Sequence, residues 1–246
     1  MNADSSNEVS PWKLFKTSEM LLAAEISKKI SETLVKFSSI DLNSISDADR
    51  NVLLLLSDNG VPYEWRKLWQ GPKLASEFLK SVAVRVQSVS KFAGNLNESI
   101  QEIDFSKIFN VDSFLSTVKL VTSRDLKVSA SDLILESYTD SSKREQMNVG
   151  KVSVIKISSL LIDGLNFDNY RLVQADATSN NNFTGPIYCF FKETHHDLTD
   201  DEPGIFKIPL YATHSREKLL CTFKLNTSLD KDEIIYSGTS LIVPAN

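Results

Sequence analysis

Cysteine is scarce in this sequence, and no stretch of it has the composition of a signal peptide or a membrane span. Cys189 and Cys221 are its two cysteines. The opening residues, MNADSSNEVS, are polar and lack the apolar centre of a signal peptide. No run of about 18 apolar residues occurs either. Because isolated cysteines without an export signal are usually reduced, we expect both to be reduced residues of the core.

Glycine is also scarce, with eight residues in 246, and the glycine-rich motifs of nucleotide sites are missing. There is no G-x-x-x-x-G-K-[ST] phosphate loop, no G-x-G-x-x-G dinucleotide motif and no G-x-S-x-G nucleophile elbow. The protein therefore has little backbone material for cradling phosphates. The sequence predicts a protein without a nucleotide site or a recognisable active site of its own.

Positive charge is not in excess in either half of the sequence. Residues 1–126 hold 15 basic and 16 acidic groups, residues 127–246 hold 12 and 16, and the net charge is -5. Binding to nucleic acid depends on Lys and Arg that neutralise phosphates. The charge balance therefore argues against a nucleic-acid-binding protein.

The three histidines offer little for catalysis or metal binding. His195 and His196 lie in the acidic stretch HHDLTDDEPG, where a carboxylate that folded back could complete a metal site, but a solvated loop is the simpler interpretation. His214 precedes Ser215 and Arg216, yet a catalytic triad is assembled from distant positions. A hydrolase that uses His214 is therefore a minor hypothesis, and we predict neither a metal nor a cofactor.

The first half of the sequence has the period of an amphipathic helix. Apolar residues recur at three- and four-residue steps over 11–37, with Glu19 as the one polar break. This pattern predicts a helix of about 27 residues with one buried stripe. Further helices are predicted from a Ser46/Asp49 capping box to Gly60, over 74–92 before Gly94, and from Val111.

From about residue 126 the apolar pattern changes to a period of two. Residues 219–225 alternate between the two faces of a strand, and PIYCFFKE, IFKIPLY and SLIVP also have strand character. Pro209, inside IFKIPLY, cannot donate to a ladder, so it predicts an edge strand or a bend. About six strands follow the helices with no helix pattern between them. We predict an α+β fold, with N-terminal helices followed by a roughly six-stranded antiparallel β-barrel or strongly curved sheet.

The segment VPYEWRKLWQGP carries two of the three tryptophans, Trp65 and Trp69. Pro62 is placed where a short helix would begin, and Gly71-Pro72 would stop it. Residues four apart share one helix face, so both rings are expected on one side. Tryptophan in a soluble domain is usually buried, which predicts core and not a ligand platform.

This segment resembles the start of the C-terminal region of dynein heavy chains, which carries a Val-Pro-x-x-Trp pattern. The second tryptophan and the Gly-Pro after it are most similar to the cytoplasmic dynein 2 class. Four further family motifs are matched in the same order along nearly the whole sequence. The matching residues are Phe109, Phe114 and Leu115; Leu161, Gly164 and Phe167; Pro209, Tyr211 and Arg216; and Gly238. The sequence departs from the family pattern at Val111 and Ser159.

The resemblance implies a non-catalytic C-terminal cap that packs on the ring of ATPase modules of the same heavy chain and tunes force and processivity in retrograde intraflagellar transport. The parent would be a microtubule motor ATPase with accessory dynein chains, located in the cytoplasm, the cytoskeleton and the cilium, with no nucleic-acid or membrane partner. Its nucleotide and microtubule sites would lie outside the 246 residues.

The resemblance also implies a division of the sequence. Residues 1–10 would be a disordered or artificial leader, 11–125 the end of the last ATPase module and the start of the cap, and 126–246 the barrel. Trp65 and Trp69 would pin a short helix where the helical part meets the barrel. The residues expected to have structural or interface roles are Pro62, Trp65, Trp69, Phe114, Gly164, Pro209, Arg216 and Gly238.

A rival hypothesis is a freestanding barrel that binds a small apolar ligand, since barrels of few strands can enclose one. The predicted strands are fewer than the eight or so that a roomy up-and-down barrel needs. A filled barrel interior would favour the cap, and an open apolar cavity would favour the binding protein.

Overall fold

The computed structural model describes residues 9–39, 45–139, 153–168, 170–174, 183–194 and 204–245 of the protein. The contacts divide it into two compact units. The first unit comprises residues 1–98, 106–110 and 245–246, and the second comprises residues 99–105 and 111–244. Residues 1–8 of the predicted leader and the pair His195–His196 lie outside the described residues.

The described residues of the first unit form four α-helices. Pro11 occupies the first turn of the long helix, where its missing N–H costs nothing. Ser46 caps the second helix, because its side chain accepts a hydrogen bond from the backbone N–H of Asp49. Both helix starts confirm the sequence predictions. The helices are α1 (Pro11–Ser38), α2 (Asp47–Ser57), α3 (Tyr63–Leu68) and α4 (Ala75–Phe92).

The predicted role of Gly60 as the residue that ends α2 is wrong. The left-handed residue is Asn59, with φ of 58°, a conformation that asparagine tolerates. Gly60 has a different requirement, because a Cβ at this position would collide with the side chain of Leu55. The sequence pattern located the turn after α2 correctly, but it assigned the left-handed conformation to Gly60, whereas Asn59 adopts it.

The apolar stripe of α1 packs into the core of the first unit. Ala23, Ile26 and Ile30 are buried in one hydrophobic cluster with Phe78 and Val82 of α4. Ile26 and Phe78 are completely inaccessible to solvent. Burying large side chains of this kind contributes about 1.5–3 kcal/mol each, so the contact of α1 with α4 is the main apolar contact of this unit.

Among its described residues, the second unit contains two sheets and two α-helices. A four-stranded sheet has the order β1-β3-β7-β2, and a six-stranded sheet has the order β4-β10-β8-β9-β6-β5. The strands are β1 (Glu102–Ile103), β2 (Leu133–Tyr138), β3 (Ile155–Ile157), β4 (Leu161–Asp163), β5 (Asn166–Asp168), β6 (Arg171–Val173), β7 (Ile187–Glu193), β8 (Ile205–Tyr211), β9 (Leu219–Thr227) and β10 (Ser240–Ile242), and the helices are α5 (Val111–Leu126) and α6 (Lys231–Tyr236).

The α+β class and the sequence of helices followed by a nearly closed six-stranded sheet confirm the prediction. The expectation of purely antiparallel pairing is wrong, because the sheets are mixed. Strand β10 runs parallel to β8, β6 parallel to β9, and β1 parallel to β3. Parallel neighbours here come from segments far apart in sequence, and the period of a single strand carries no information on the direction of its partner.

Side chains link the two sheets where β2 approaches β9. The hydroxyl of Ser137 donates to the backbone oxygen of Lys224 at 3.1 Å and accepts from its N–H at 2.6 Å. Glu136, 8% exposed, lies 3.0 Å from the ammonium of Lys224 and 3.2 Å from that of Lys192 on β7. These contacts bridge the sheets over an interior filled by large apolar side chains, including Leu172, Ile208, Leu210, Phe223 and Leu225.

Pro209 does not lie on an edge strand, so that alternative of the prediction is wrong. Strand β8 has β9 on one side and β10 on the other. The pairing of β10 with β8 is at Leu210 and Tyr211, directly after the proline. The register of β8 with β9 shifts between the same two residues. The missing N–H thus sits beside a local irregularity of the ladder, which corresponds to the predicted bend.

Helix α5 belongs to the second unit by its contacts. The sequence division at residues 125 and 126 follows the change of period, and it placed this helix with the other helices. Phe114 of α5 is fully buried and meets the ring of Phe105 edge to face, with centroids 5.9 Å apart. The spacing of apolar residues in a helix shows which side of the helix is buried, but it does not show which other elements that side packs against.

Both cysteines are free thiols, as the sequence predicts. Cys189 is buried on β7, and its burial raises the pKa of the thiol to about 12. Cys221 on β9 is half-buried, and burial is also the main cause of its raised pKa. Within the described ranges, no helix is both long enough and apolar enough to cross a membrane.

Candidate functional site

Trp65 is a core residue of the first unit. Its side chain has no exposed surface, its ring stacks on Phe78 with centroids 6.1 Å apart, and its indole Nε1 donates to the hydroxyl of Thr33 on α1 at 3.2 Å. Pro62, which directly precedes α3, is buried beside it. The predicted burial of this tryptophan is confirmed, and its indole joins α3 to α1.

Trp69 does not share a helix face with Trp65, which corrects the prediction. Helix α3 ends at Leu68, and Trp69 has extended backbone angles. Its ring still reaches Phe78, at 5.2 Å between centroids. A Cβ at Gly71 would collide with the indole ring of Trp69. Gly71 therefore leaves room for this ring, while the helix already ends at Leu68, before the Gly-Pro that was predicted to stop it.

The backbone of residues 108–110 is held by polar side chains from three different elements. The indole Nε1 of Trp69 donates to the backbone oxygen of Phe109 at 3.1 Å. Arg85 of α4 donates from Nε to the oxygen of Ile108 at 2.9 Å. The guanidinium of Arg85 also lies 4.5 Å from the centroid of the Trp69 ring, a cation–π geometry. Arg85 is 3% exposed.

Glu19 of α1 completes this arrangement. Its carboxylate oxygens accept hydrogen bonds from the backbone N–H of Phe109 at 2.7 Å and of Asn110 at 2.9 Å. The side chain is 1% exposed. Burial raises the pKa of Glu19, while the two N–H donors and the charge of Arg85 act in the opposite direction. We call Glu19, Trp69 and Arg85, with the backbone of 108–110 that they hold, the backbone clamp.

One turn before Glu19, a second buried charge fixes α1. The ammonium of Lys16 donates to the backbone oxygens of Asn95 at 2.8 Å and Glu98 at 2.9 Å. Burial is the main cause of the lowered pKa of Lys16. The sequence analysis recorded Glu19 only as an interruption of an apolar stripe, and it did not identify Lys16 or Arg85. The available signal in the sequence was a charged residue at a helix position where the apolar pattern predicts burial, which indicates a buried and hydrogen-bonded charge.

The remaining predicted residues lie in the second unit, and three of them meet at one groove. Pro209, Arg216 and Gly238 line a groove of about 250 Å³ together with Phe206, Tyr211, Ile234, Ile235, Thr239 and Ser240. Phe114 is not part of this groove and belongs to the core.

Gly164 has a structural role next to this groove. Its φ is +83°, which disfavours any residue with a side chain. A Cβ there would collide with the backbone oxygen of Ser237, directly before Gly238. The positive φ and the close approach together require glycine between β4 and β5.

His214 and Arg216 both approach one carboxylate without forming a catalytic arrangement. The Nδ1 of His214 and a terminal nitrogen of Arg216 each lie 3.4 Å from Oδ2 of Asp163. The hydroxyl of Ser215 shares a hydrogen bond with Thr213 at 2.8 Å. Since this hydroxyl pairs with a threonine and not with the imidazole, the geometry gives no support to the hydrolase hypothesis.

A different kind of surface lies on α1. Leu14, Leu21 and Val35 are 57%, 66% and 62% exposed, and Lys28 continues their seven-residue spacing. Residues seven apart lie on one side of a helix. On α2 no residue is fully buried, and Leu54 is 56% exposed. We call Leu14, Leu21 and Val35 of α1 the apolar helix surface. In the part of the protein that the structure covers, no cluster of His, Cys, Asp and Glu could hold a metal.

The comparisons with known proteins agree with this architecture. The family model for the C-terminal domain of the dynein heavy chain matches residues 1–243. A protein named cytoplasmic dynein 2 heavy chain 1 from Tripneustes gratilla is 25% identical over 227 residues, covering 85% of this sequence. Proteins with the same name from Mus musculus and Homo sapiens are each 21% identical over 243 residues, covering 95% of this sequence.

The protein corresponds to a small part of these relatives, since the match covers 5% of the sea urchin protein and 6% of each mammalian one. The match to the family model nevertheless spans almost every residue. The helices, the nearly closed sheet and the family match lead to one conclusion: this protein belongs to the family of C-terminal domains of dynein heavy chains.

Proposed function

We propose that this protein is the non-catalytic C-terminal cap of a dynein 2-type microtubule motor, packing on the ATPase ring of the same heavy chain and tuning force and processivity in retrograde intraflagellar transport. The parent would work in the cytoplasm and the cilium with microtubules and accessory dynein chains. The apolar helix surface is the observation that carries this proposal.

This surface is suited to contact with another part of a longer polypeptide. Large leucine and valine side chains repeat along about 30 Å of α1, taking 1.5 Å per residue. Exposed apolar side chains that repeat along one side of a helix are a candidate interaction site, here with Lys28 between Leu21 and Val35. Because the relatives are about twenty times longer than these 246 residues, a neighbouring module of the same heavy chain is the occupant that we assign to it.

Helix α1 is also suited to transmit force, because its inner side is buried from Pro11 to Ile30. Lys16 and Glu19 hold its first half through hydrogen bonds, and Ile26 and Ile30 hold its second half through apolar contacts. A stiff helix with one packed side carries coupling better than a loop. The cap must favour one arrangement of the ring over another, since equal binding to both would shift nothing.

The proposal is tested in the parent motor by placing charge on the apolar helix surface. The double variant Leu21→Glu and Val35→Glu changes exposed side chains, so the isolated domain should keep its melting temperature within about 2 °C. In the motor, we expect stall force and run length to change as they do when the whole domain is deleted. ATP turnover without microtubules should stay near normal.

Leu120→Glu is the matched control, because Leu120 is an exposed leucine, 39% accessible, on helix α5 of the second unit. It should leave motor output unchanged. If the double variant has normal stall force and run length, the apolar helix surface is not the docking surface and the proposed cap function loses its main support.

Breaking α1 tests transmission separately from docking. Ile26→Pro removes a backbone hydrogen bond at the buried centre of the helix and should cost about 3 kcal/mol or more. We expect this variant to reproduce loss of the cap under load. Hydrogen exchange would show whether α1 is broken in this variant. If α1 is broken and the stall force is still normal, the coupling does not pass through α1.

The rival function, a barrel for a small apolar ligand, has less support. The buried side chains of β8 and β9 are large and inaccessible to solvent, with Phe223, Leu225 and Ile208 at 0% exposure. The groove of about 250 Å³ is below the usual range of about 300–1,000 Å³ for small-molecule pockets.

A further inference from the structure

We propose that the groove of the second unit docks a separate polypeptide through a short acidic segment, which places one bulky apolar side chain in the groove and a neighbouring carboxylate on Arg216. This inference concerns a different surface from the apolar helix surface, and it does not depend on the cap function.

The size and lining of the groove determine the kind of group that fits. Its volume of about 250 Å³ accommodates one or two side chains and not a drug-sized ligand. Phe206, Pro209 and Ile234 give it an apolar lining, and Tyr211 adds an aromatic ring with a polar tip. Such a groove suits a leucine, phenylalanine or tryptophan side chain presented by a peptide.

Arg216 is the charged residue among those that line the groove, and it determines the charge of the ligand. Its guanidinium has five N–H donors, and its described ion pair is one long contact of 3.4 Å with Asp163. Donors therefore remain for a second carboxylate, which arginine binds with a matching fork geometry. A Cβ at Gly238 would lie 3.8 Å from Nη1 of Arg216, so this glycine lies beside the guanidinium.

The hydroxyl of Ser240 is an independent sign that a polar ligand atom is missing. Ser240 lines the groove and is 1% exposed. Its Oγ is buried and has no hydrogen-bond partner among the residues that the structure describes. A buried polar atom without a partner costs about 1–3 kcal/mol and calls for an explanation. Because this oxygen has almost no accessible surface, a polar group of a bound peptide would pair with it only after the lining of the groove shifts on binding.

The rim of the groove has the composition of a transient protein interface. Ile235 is 56% exposed and Tyr236 is 89% exposed on the neighbouring α6. Tyrosine and arginine are the residue types that most often carry binding energy in interfaces. Permanent contacts are more hydrophobic than this mixture of one arginine, tyrosines and aliphatic side chains. We therefore assign the groove to a separate polypeptide and not to another part of the heavy chain.

The test uses a displayed library of random ten-residue peptides selected on this protein. We expect the enriched peptides to share one bulky apolar residue next to Asp or Glu. A synthetic peptide from the enriched set, labelled with fluorescein, should bind about tenfold more weakly to the Arg216→Gln variant, the loss expected for one hydrogen bond to a charged group. Arg216→Lys should retain part of the affinity. Tyr236→Ser should weaken binding in an otherwise unchanged protein.

Two controls make the result decisive. Lys231→Gln removes a positive charge from the same helix as Tyr236 without touching the residues that line the groove, and it should leave the affinity unchanged. Melting curves of each variant report whether it is folded. Failure to enrich any peptide, enriched peptides without acidic residues, or equal affinity for a folded Arg216→Gln variant would each overturn the proposal. Binding of indole-3-acetate to the groove without binding of any peptide would assign it to a small carboxylate instead.

Discussion

The carboxylate of Glu19 accepts a hydrogen bond from the backbone N–H of Phe109 across 90 positions of sequence, at 2.7 Å and out of contact with water. This bond is the centre of the backbone clamp. A buried carboxylate is tolerated only when hydrogen bonds and charges compensate its lost hydration. In the clamp that compensation comes from two N–H donors and the nearby Arg85.

Removing the Glu19 carboxylate is expected to destabilise the protein strongly. Glu19→Ala removes the acceptor of the Phe109 and Asn110 N–H groups and takes away a buried negative charge near Arg85. We expect the free energy of unfolding to fall by about 3–5 kcal/mol, measured by urea denaturation. Glu25→Ala, an exposed position on the same helix, is the control and should change it by less than about 0.5 kcal/mol. Equal effects of the two variants would show that the clamp contributes nothing.

The pH dependence of stability should carry the signature of Glu19. Since its folded-state pKa is raised above the ordinary value of 4.5, the folded state binds this proton more tightly than the unfolded state. Its contribution is therefore most favourable below about pH 4.5 and is lost as pH rises through the folded pKa. Compared with Glu19→Gln, the wild-type protein should lose melting temperature as pH rises above about 4.5. A relative gain over the same interval would show that the hydrogen bonds outweigh burial.

Trp65→Ala tests the burial of the indole. We expect a loss of about 3–5 kcal/mol, the usual range for truncating a buried tryptophan; the hydroxyl of Thr33 loses the indole donor but keeps its hydrogen bond to the backbone oxygen of Lys29. Tyr63→Ala, two residues earlier and 65% exposed, should be close to neutral. An unchanged melting temperature for Trp65→Ala would indicate an exposed ring and favour a docking role.

Two glycines provide a matched test of backbone strain. Gly164→Ala forces a side chain into a positive φ and against the carbonyl of Ser237, and we expect a cost of at least about 2 kcal/mol. Gly94→Ala meets no atom within 4 Å and needs no positive φ. That variant should be neutral or slightly stabilising. Similar melting temperatures for the two variants would contradict the described turn at Gly164.

The isolated protein is expected not to hydrolyse ATP, because its sequence contains no phosphate-binding loop. The measurement is phosphate release by protein purified to constant specific activity. Turnover that persists through purification and is abolished by a single substitution in this protein would contradict the prediction.

The groove shows how far motif reasoning extends. Pro209 and Arg216 were selected from one stretch of sequence and Gly238 from another, and the structure brings the three to one groove. Ser240 and Tyr211 complete that groove, but neither was chosen as a site residue. A motif identifies positions within one stretch of sequence. The parallel pairing of β10 with β8 decides which positions from different stretches become neighbours.

The sequence alone determined the local elements of this protein. The 3.6-residue period fixed the extent of α1 and α4, Ser46 fixed the start of α2, and alternation fixed the buried side of β9, because each depends on residues close together in the sequence. Only the tertiary structure decided that Glu19 and Arg85 hold residues 108–110, and that β6 and β10 run parallel to their neighbours. These features depend on which distant segments meet. The identity of a charged residue does not by itself show whether its side chain is buried or exposed.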